Sequence, residues 1–434
     1  MAHLRYAVCI LVPSVLLLGA GAARADDWAQ WRGPSRDGHV PTGVAIPSTL
    51  PAAPEVLWHE PAGFSLASPI VSGARVFSLD NQDDKEVVHA ANAADGKEIW
   101  KVELDDATHD DQSQPGPRTT PVVDGDRLYA QSCRGRLKCL NISDGKLIWE
   151  TNYVKDFGSS FIGEKGKATG ASRHGHTATP LIDGQHLIAE VGGPGAGIVC
   201  FDKKTGDMIW KTQDDMPGYA APIVATVAGV RQMIAFTAVA VIGVEPADGK
   251  LLWRVPLKTR LGRHAATPVV VGDTVIVSSH QVGLVGIRVR KDGDDLKAEQ
   301  IWAAKESAIN YASPVVVNHY LYGVGPTKNL ICVDVETGKQ AWSKDGFFSS
   351  SGGKAYAGIL VVGKNLLILA DDGQLVLIAA DASEYREISR TQVAGNNWCN
   401  PAYAGGNLYL RDDRELRCVR LLVKDIARRD VEAK

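Results

Sequence analysis

Asn141-Ile-Ser-Asp-Gly145-Lys-Leu-Ile-Trp149 returns, with small changes, four more times in this chain. The copies run from Asn92 to Trp100, Asp202 to Trp210, Glu245 to Trp253 and Asp334 to Trp342. Each places a glycine (Gly96, Gly145, Gly206, Gly249, Gly338) four residues before its tryptophan and four after an acidic or amide residue. A period of roughly 40 to 60 residues built on strand-like segments predicts a propeller or another repeat array. The run from Leu137 to Ile142 reads as a strand, Asp-Gly or Thr-Gly as a tight turn, and Leu-Ile-Trp or Met-Ile-Trp as the next strand. The turn needs a residue free to take positive φ, which glycine is. The tryptophans read as packing between neighbouring units and not as ligand platforms. Truncating one should cost roughly 3–5 kcal/mol.

A second signal, a small or amide residue followed by proline, falls at Pro69, Pro121, Pro180, Pro222, Pro268, Pro314 and Pro401, with Gly358 in an eighth slot. The intervals are 52, 59, 42, 46, 46, 44 and 43 residues. Proline lacks a ladder donor, so it belongs at a strand start or an edge. The tryptophan slots also number eight: Trp58, Trp100, Trp149, Trp210, Trp253, Trp302, Trp342 and, by spacing, Ser389. The fifth unit is irregular, because Arg288 to Gln300 replaces the short turn by a charged excursion.

The two ends explain each other. Trp58 has no inner strands before it, and the unit from Pro401 to Arg420 has no tryptophan strand after it. If the segment around Trp58 joins the C-terminal strands, both defects are repaired and no sheet edge is left open. The expected fold is therefore all-β, an eight-bladed propeller over residues 55–422 closed by a shared last blade. Residues 26–54, with Trp28 to Gly38, read as a strap on its body, and 423–434 as a charged tail.

Forty-four glycines, 21 prolines and four methionines in 434 residues suit a large glycine-turned β protein. Residues 1–25 read as a secretory signal peptide: Arg5, an apolar run from Ala7 to Ala20, and Ala23-Arg24-Ala25 as the cleavage site. Cys9 lies inside the apolar run, which speaks against a lipid anchor. Removing this segment takes the net charge from −3 to −5, because Arg5 and Arg24 leave and no acidic residue does. That balance argues against a nucleic-acid partner and a basic membrane patch. No later stretch is long and apolar enough to span a bilayer. The expected location is periplasmic or extracellular.

Six cysteines remain. Cys139, Cys200 and Cys332 each stand six residues before the glycine of their repeat, with Cys418 in a similar strand. They read as small free-thiol core residues. Cys133 and Cys139 flank the Arg134-Gly135-Arg136 turn, and a hairpin disulfide between them stays open. No CxxC pair supports zinc.

The pattern from Asp202 to Trp210 and from Asp334 to Trp342 resembles the repeats of the quinoprotein-type, pyrroloquinoline-quinone-like propeller family. That family includes quinone-dependent alcohol dehydrogenases and the propeller subunit of the outer-membrane barrel assembly machinery. The segment from Trp28 to Gly38 resembles the lead-in of secreted bacterial propellers, often planctomycete ones. For a dehydrogenase the resemblance implies an adjacent cysteine pair and a calcium held by Glu, Asn and Asp. This chain has no Cys-Cys, and no such metal set is assignable. Trp398 with Asn396, Asn397 and Asn400 is the nearest suggestive cluster.

Strand starts of a propeller line its channel or mouth, so their polar residues are the binding candidates. Arg118, His176 and His264 lie three or four residues before a blade proline, beside Arg173, His174 and Arg263. Asn310 and Asn397 occupy equivalent slots. Together they predict a partly cationic mouth able to hold a carboxylate or phosphate. The alternative is a polar lining that only satisfies loop carbonyls. A His174–His176–His264 metal site lacks diagnostic spacing, and Asp105 to Asp111 lacks the pattern of a calcium loop. Insertions at 103–118 and 153–176, the latter with Tyr153, Phe157 and Phe161, are expected to cover part of the mouth. The reading is a non-catalytic exported scaffold for envelope proteins or carbohydrate, with no cofactor and no assigned catalytic residue. Alternatives are an alcohol or sugar oxidoreductase using pyrroloquinoline quinone with calcium, and a hydrolase or lyase using mouth histidines.

Overall fold

Short apolar strands joined by two-residue turns have their nearest partners next to them in sequence, so each repeat closes into its own antiparallel sheet. In the computed structural model, which describes residues 27–109, 113–160, 170–349 and 355–422, the first such sheet pairs Ile70–Ser72, Arg75–Gln82, Lys85–Asn92 and Glu98–Asp106 in that order. Six more sheets of four consecutive strands follow, spanning 122–152, 181–212, 223–256, 269–304, 315–344 and 357–392. In the eighth, Ala402–Ala404, Asn407–Arg411 and Glu415–Arg420 take Glu55–Pro61 as their outermost strand, with Trp58 opposite Cys418. The protein is an eight-bladed all-β propeller closed by its two ends. Arg411, fully buried, reinforces the closure by donating to the carbonyls of Leu79 (2.6 Å) and Gly63 in the first blade.

The repeated nonapeptide works between blades. In the first seven blades the outer strand bulges just beside the tryptophan slot, as between Cys139 and Leu140 opposite Trp149. A bulge re-aims a side chain, and here the indole is turned onto the next blade. Trp149 donates from Nε1 to the Lys203 carbonyl at 3.1 Å, and its ring lies against Gly206. Trp58, Trp100, Trp210 and Trp302 do the same with Ala93, Ile142, Pro246 and Val335, over Gly96, Gly145, Gly249 and Gly338. A Cβ on Gly206 would stand 2.6 Å from the Trp149 ring, and its φ of +79° already excludes most side chains. The tryptophan therefore dictates the glycine one blade later.

Two slots depart, each for a local reason. Trp253 turns to Gln232 of its own blade, because the following blade extends into the hairpin Gly283–Asp292/Asp295–Ala304 and lacks the short turn. Trp342 donates to Asp381 at 2.9 Å and meets the Tyr385 ring edge-on where a glycine would stand. Ser389, opposite Leu377, holds the degenerate slot and accepts a hydrogen bond from the Leu50 amide at 2.8 Å.

Directly across from Trp58, Trp149, Trp210 and Trp342 stand Cys418, Cys139, Cys200 and Cys332. Ala90, Gly243 and Gly286 fill the same place elsewhere. A small residue leaves room for the indole. All six described cysteines are buried free thiols, including Cys133, whose amide donates to the Glu86 carboxylate. The apolar core is accordingly a ring of layers between adjacent blades, such as Phe77, Leu79 and Val88 against Leu128, Ala130 and Leu140.

Residues 27–40 run inside the ring. Trp28 bridges to Val71 in the first blade, and the Ala29 carbonyl accepts from Val123 in the second. Arg36 donates to Thr179 and Pro180 in the third (2.9 Å each), and Trp31 Nε1 to Thr267 before the fifth (3.0 Å). Arg32 reaches the Pro314 carbonyl before the sixth, and His39 bridges to Val361 in the seventh. The segment thus crosses the channel as a plug held by carbonyls that the inner strands leave unpaired.

Candidate functional site

Period-two alternation decides which strand-start residues face the channel. The residue three before each blade proline points to the axis: Leu66, Arg118, Thr177, Tyr219, Ala265, Tyr311 and Trp398 all line one cavity of about 450 Å³. Phe64 and Arg263, two residues further back, line it as well, with His174, and Tyr356 stands in for the seventh blade. Trp31 of the plug also contributes to its wall. The cavity is therefore a one-sided bowl at the mouth, and the strap separates it from a second recess that Ser35 to His39 share with blades four to six.

The residue four before the proline points the other way. His176 (1% exposed) is enclosed between blades, with Nε2 3.3 Å from Ser159 Oγ and its ring edge-on to Tyr153 at 5.1 Å. His264 (0% exposed) stacks on Phe236 at 4.0 Å, with its two nitrogens 2.6 Å from the Thr237 carbonyl and 3.2 Å from Thr259 Oγ1. Burial depresses both imidazoles to about 4, so they are neutral at pH 7. The spacing groups these histidines with Arg118, but one residue of register puts them behind the wall, where they brace loops.

The other candidates separate. Arg173 is buried, its amide donating to the Gly170 carbonyl. Asn310 opens onto a small recess of about 140 Å³ with His280 and Lys328. Asn397, 2% exposed, lines a third recess with Asp371 and Asp412, and its Oδ1 accepts from the Cys399 amide. The bowl itself gathers Arg118, His174, Arg263 and Trp398. The grouping by three or four residues does not single out its aromatic partners Trp31, Tyr219, Tyr311 and Tyr356; the third residue before the proline finds two of them, Tyr219 and Tyr311, together with Trp398.

The two long connections reach this face. Asn152 caps the short helix Tyr153–Phe157 by accepting from the Lys155 amide, and Gly158 ends it at φ 70°. Tyr153 then anchors the helix by donating to Gln131 at 2.8 Å, and Phe157 packs on Phe201. Gly170 bonds through its amide to Leu261 and through its carbonyl to Tyr219 Oη, which carries the connection over towards the fifth blade. Phe161 lies outside the described residues. Arg118 Nη2 donates to Ser113 Oγ at 2.5 Å, so the first connection orients it.

The bowl has two halves. Blades six, seven, eight and one supply Tyr311, Tyr356, Trp398, Phe64 and Leu66. Tyr356 and Trp398 stack at 5.6 Å and 14°, and Tyr311 stands 5.5 Å from Trp398. Blades two to five supply Arg118, His174 and Arg263, and no Asp or Glu is among the described residues that line the cavity. Arg263 lies over Tyr311 at 5.3 Å, and its Nε has no hydrogen-bond partner among the described residues.

Comparison with known proteins follows the fold. The family described as outer membrane protein assembly factor BamB matches residues 83–344. The chain belongs to this family. Among curated relatives it is 26% identical to the outer membrane protein assembly factor BamB of Moranella endobia over 272 residues, 60% of this chain and 64% of that one. The Yersinia pestis protein of the same name is 24% identical over 353 residues, 75% and 80% of the two chains. Thus the chain spans 64% of the first of these relatives, less than two thirds. Among solved structures, a quinohemoprotein alcohol dehydrogenase from Pseudomonas putida superposes with a TM-score of 0.62 at 12% identity, over 92% of this chain and 80% of that one. That likeness is one of fold.

A quinone held with calcium, which the dehydrogenase fold brings into question, does not fit the bowl. Calcium takes six to eight hard oxygen ligands, mostly carboxylate and carbonyl, whereas the ionisable side chains among the described residues of this lining are Arg118, Arg263 and His174 with tyrosines. Among the described residues no three His, Cys, Asp or Glu side chains stand close enough to hold a metal. No helix of the described residues is long and apolar enough to cross a membrane.

Proposed function

We propose that this protein is an exported, non-catalytic propeller that binds protein partners of the cell envelope during outer-membrane protein assembly, and that it does so through the channel-mouth face. The observation that carries this is the family match over residues 83–344. The asymmetry of the ring supports the choice of face. The long connections and the cationic bowl lie on the mouth side, while the plug fills the channel behind them. Rigid scaffolds commonly present their binding surfaces on such loops. The signal-peptide reading of residues 1–25 agrees with a place outside the cytoplasm. A carbohydrate partner is less suited, since sugar hydroxyls want carboxylate acceptors and none is among the described residues of the bowl's lining. His176 and His264 are unsuited to a hydrolase because both are walled off from the bowl, which leaves His174 as the histidine among its described lining residues.

Deleting the gene in its own cell and following the folding of outer-membrane barrels by heat-modifiable electrophoretic mobility tests this. Slower folding that is restored by the intact chain supports the proposal. Unchanged barrel folding and abundance contradicts it.

A further inference from the structure

The fifth blade has an extended rim. Its third and fourth strands, Gly283–Asp292 and Asp295–Ala304, pair from Leu284 opposite Ala304 out to Asp292 opposite Asp295. The second strand, Thr274–Ser279, reaches only to Arg288. Residues 289–292 and 295–298 therefore run on past the four-stranded sheet as a two-stranded ribbon. Such a ribbon is marginal alone; here Val289, Leu296 and Ala298 lay one face on blade four, beside Leu252 and Val255. The other face carries Arg288, Arg290, Lys297 and Glu299, all exposed. Asp295–Ala304 is also the last strand of its sheet, and no described residue hydrogen-bonds to the backbone along its outer edge. At ten residues it is longer than the outer strand of any other blade, which has five to nine.

An open edge of this length is a template for another strand, and charge on such an edge decides what it accepts. We propose that this edge pairs with the same edge of a second copy of this chain, antiparallel about a twofold axis at Ala298. A twofold contact sets residue i opposite j and j opposite i. Side chains directly opposite each other share a face of the sheet, so the axis passes between a residue and its own copy. Centred on Lys297 or Glu299, the register sets like charges face to face. Centred on Leu296, it opposes Asp295 to Lys297 but engages only the tip of the strand. Centred on Ala298, it sets Lys297 opposite the second copy's Glu299, and symmetry makes the pair twice. Glu299 already meets Arg290 at 2.7 Å, and its two oxygens can serve both cations. Blade one's nine-residue outer strand, Glu98–Asp106, holds four acids to one lysine and would repel its copy. The turn between a blade's third and fourth strands lies at the end of the ring away from the mouth. Pairing therefore leaves both bowls open, and antiparallel edges turn the two mouths in opposite directions. An edge of this length buries less than a standard protein interface, so the dimer is weak and depends on concentration. It is independent of the assembly role proposed above, and either can fail alone.

Sedimentation equilibrium of the chain without residues 1–25, from micromolar to millimolar concentration, tests this. A reversible monomer–dimer equilibrium is expected. Lys297→Glu and Glu299→Lys each turn both symmetric contacts into like-charge pairs and should weaken the dimer about 10-fold. An equimolar mixture of the two variants should recover the affinity of the unaltered chain, because each then opposes the other with the opposite charge. A hairpin merely loosened by loss of the Arg290–Glu299 bridge would not be rescued by mixing. Both side chains are exposed, so neither exchange should disturb the fold, which circular dichroism checks. Should either single variant unfold, the double variant with both charges exchanged must still dimerise as the unaltered chain does. A chain that stays monomeric at millimolar concentration overturns the proposal. So does a dimer that neither single variant weakens, or one that neither mixing nor the double exchange restores.

Discussion

Replacing Gly206 by alanine tests why the repeat has its form. Two costs are read from the structure. The backbone there sits at φ +79°, which an L-residue occupies at about 1–2 kcal/mol. The new Cβ would also stand 2.6 Å from Trp149 Cδ2, an overpacking worth about 1–3 kcal/mol. Together the loss is about 2–5 kcal/mol. Gly184 is the control: its φ is +60° and nothing lies within 4 Å of its would-be Cβ, so only the backbone cost applies. In a Trp149→Ala background, itself worth about 3–5 kcal/mol, the clash partner is gone and Gly206→Ala should fall to the control's value. The cycle should therefore show a coupling of about 1–3 kcal/mol. Urea unfolding followed by tryptophan emission measures it, with midpoints compared at constant slope. Equal losses at Gly206 and Gly184, or strictly additive effects of the two substitutions, would refute the claim that each tryptophan selects the glycine one blade later.

Other expectations follow from buried groups. Burial raises Glu86 and Glu190 to about 8 in the folded chain, so the folded state holds more protons than the unfolded one above the ordinary carboxylate value and stability falls as pH climbs towards 8. His176 and His264, depressed to about 4, have the opposite sign: stability rises with pH until the unfolded imidazoles are neutral near 6.5. The melting temperature should change little between about pH 5 and 6.5 and decline from there to 8, and Glu190→Gln should flatten that decline; a rise over the same window contradicts the assignment. Arg36→Met removes the donors to Thr179 and Pro180; it should cost about 2–6 kcal/mol, at about 1–3 kcal/mol for each of the two buried acceptors left unpaired, and a loss under about 0.5 kcal/mol by chemical denaturation would show that the plug is not held there. In the chain without residues 1–25, six thiols should react with Ellman's reagent after unfolding without reductant, and essentially none before it; four after unfolding would reveal a disulfide that the structure lacks among the described residues.

The ring itself was readable because its information is local and repeated. Asp-x-x-x-Gly-x-x-x-Trp encodes a turn, a strand and a contact with the next copy. The unpaired halves at Trp58 and Pro401 announce the closure that Glu55–Pro61 and Glu415–Arg420 make. The site was harder for a physical reason. A strand reverses its faces at each residue, so a spacing of three or four before the proline mixes Arg118, which faces the bowl, with His176 and His264, which do not. The plug was less legible still. Trp28 to Gly38 carries no periodicity, and its place depends on carbonyls at Thr179, Pro180 and Pro314 from distant blades. Arg411, which ties the last blade to the first, looks in sequence like any surface arginine.

The claim that the mouth face is the working face is tested most directly by site-specific photocrosslinking in the source cell. A photoreactive residue at Ala265 would lie on the bowl, and one at Asn318 would lie in the recess behind the plug. The account predicts a discrete crosslink to an envelope protein from position 265 that is absent from position 318. Crosslinking from 318 and none from 265 would contradict it.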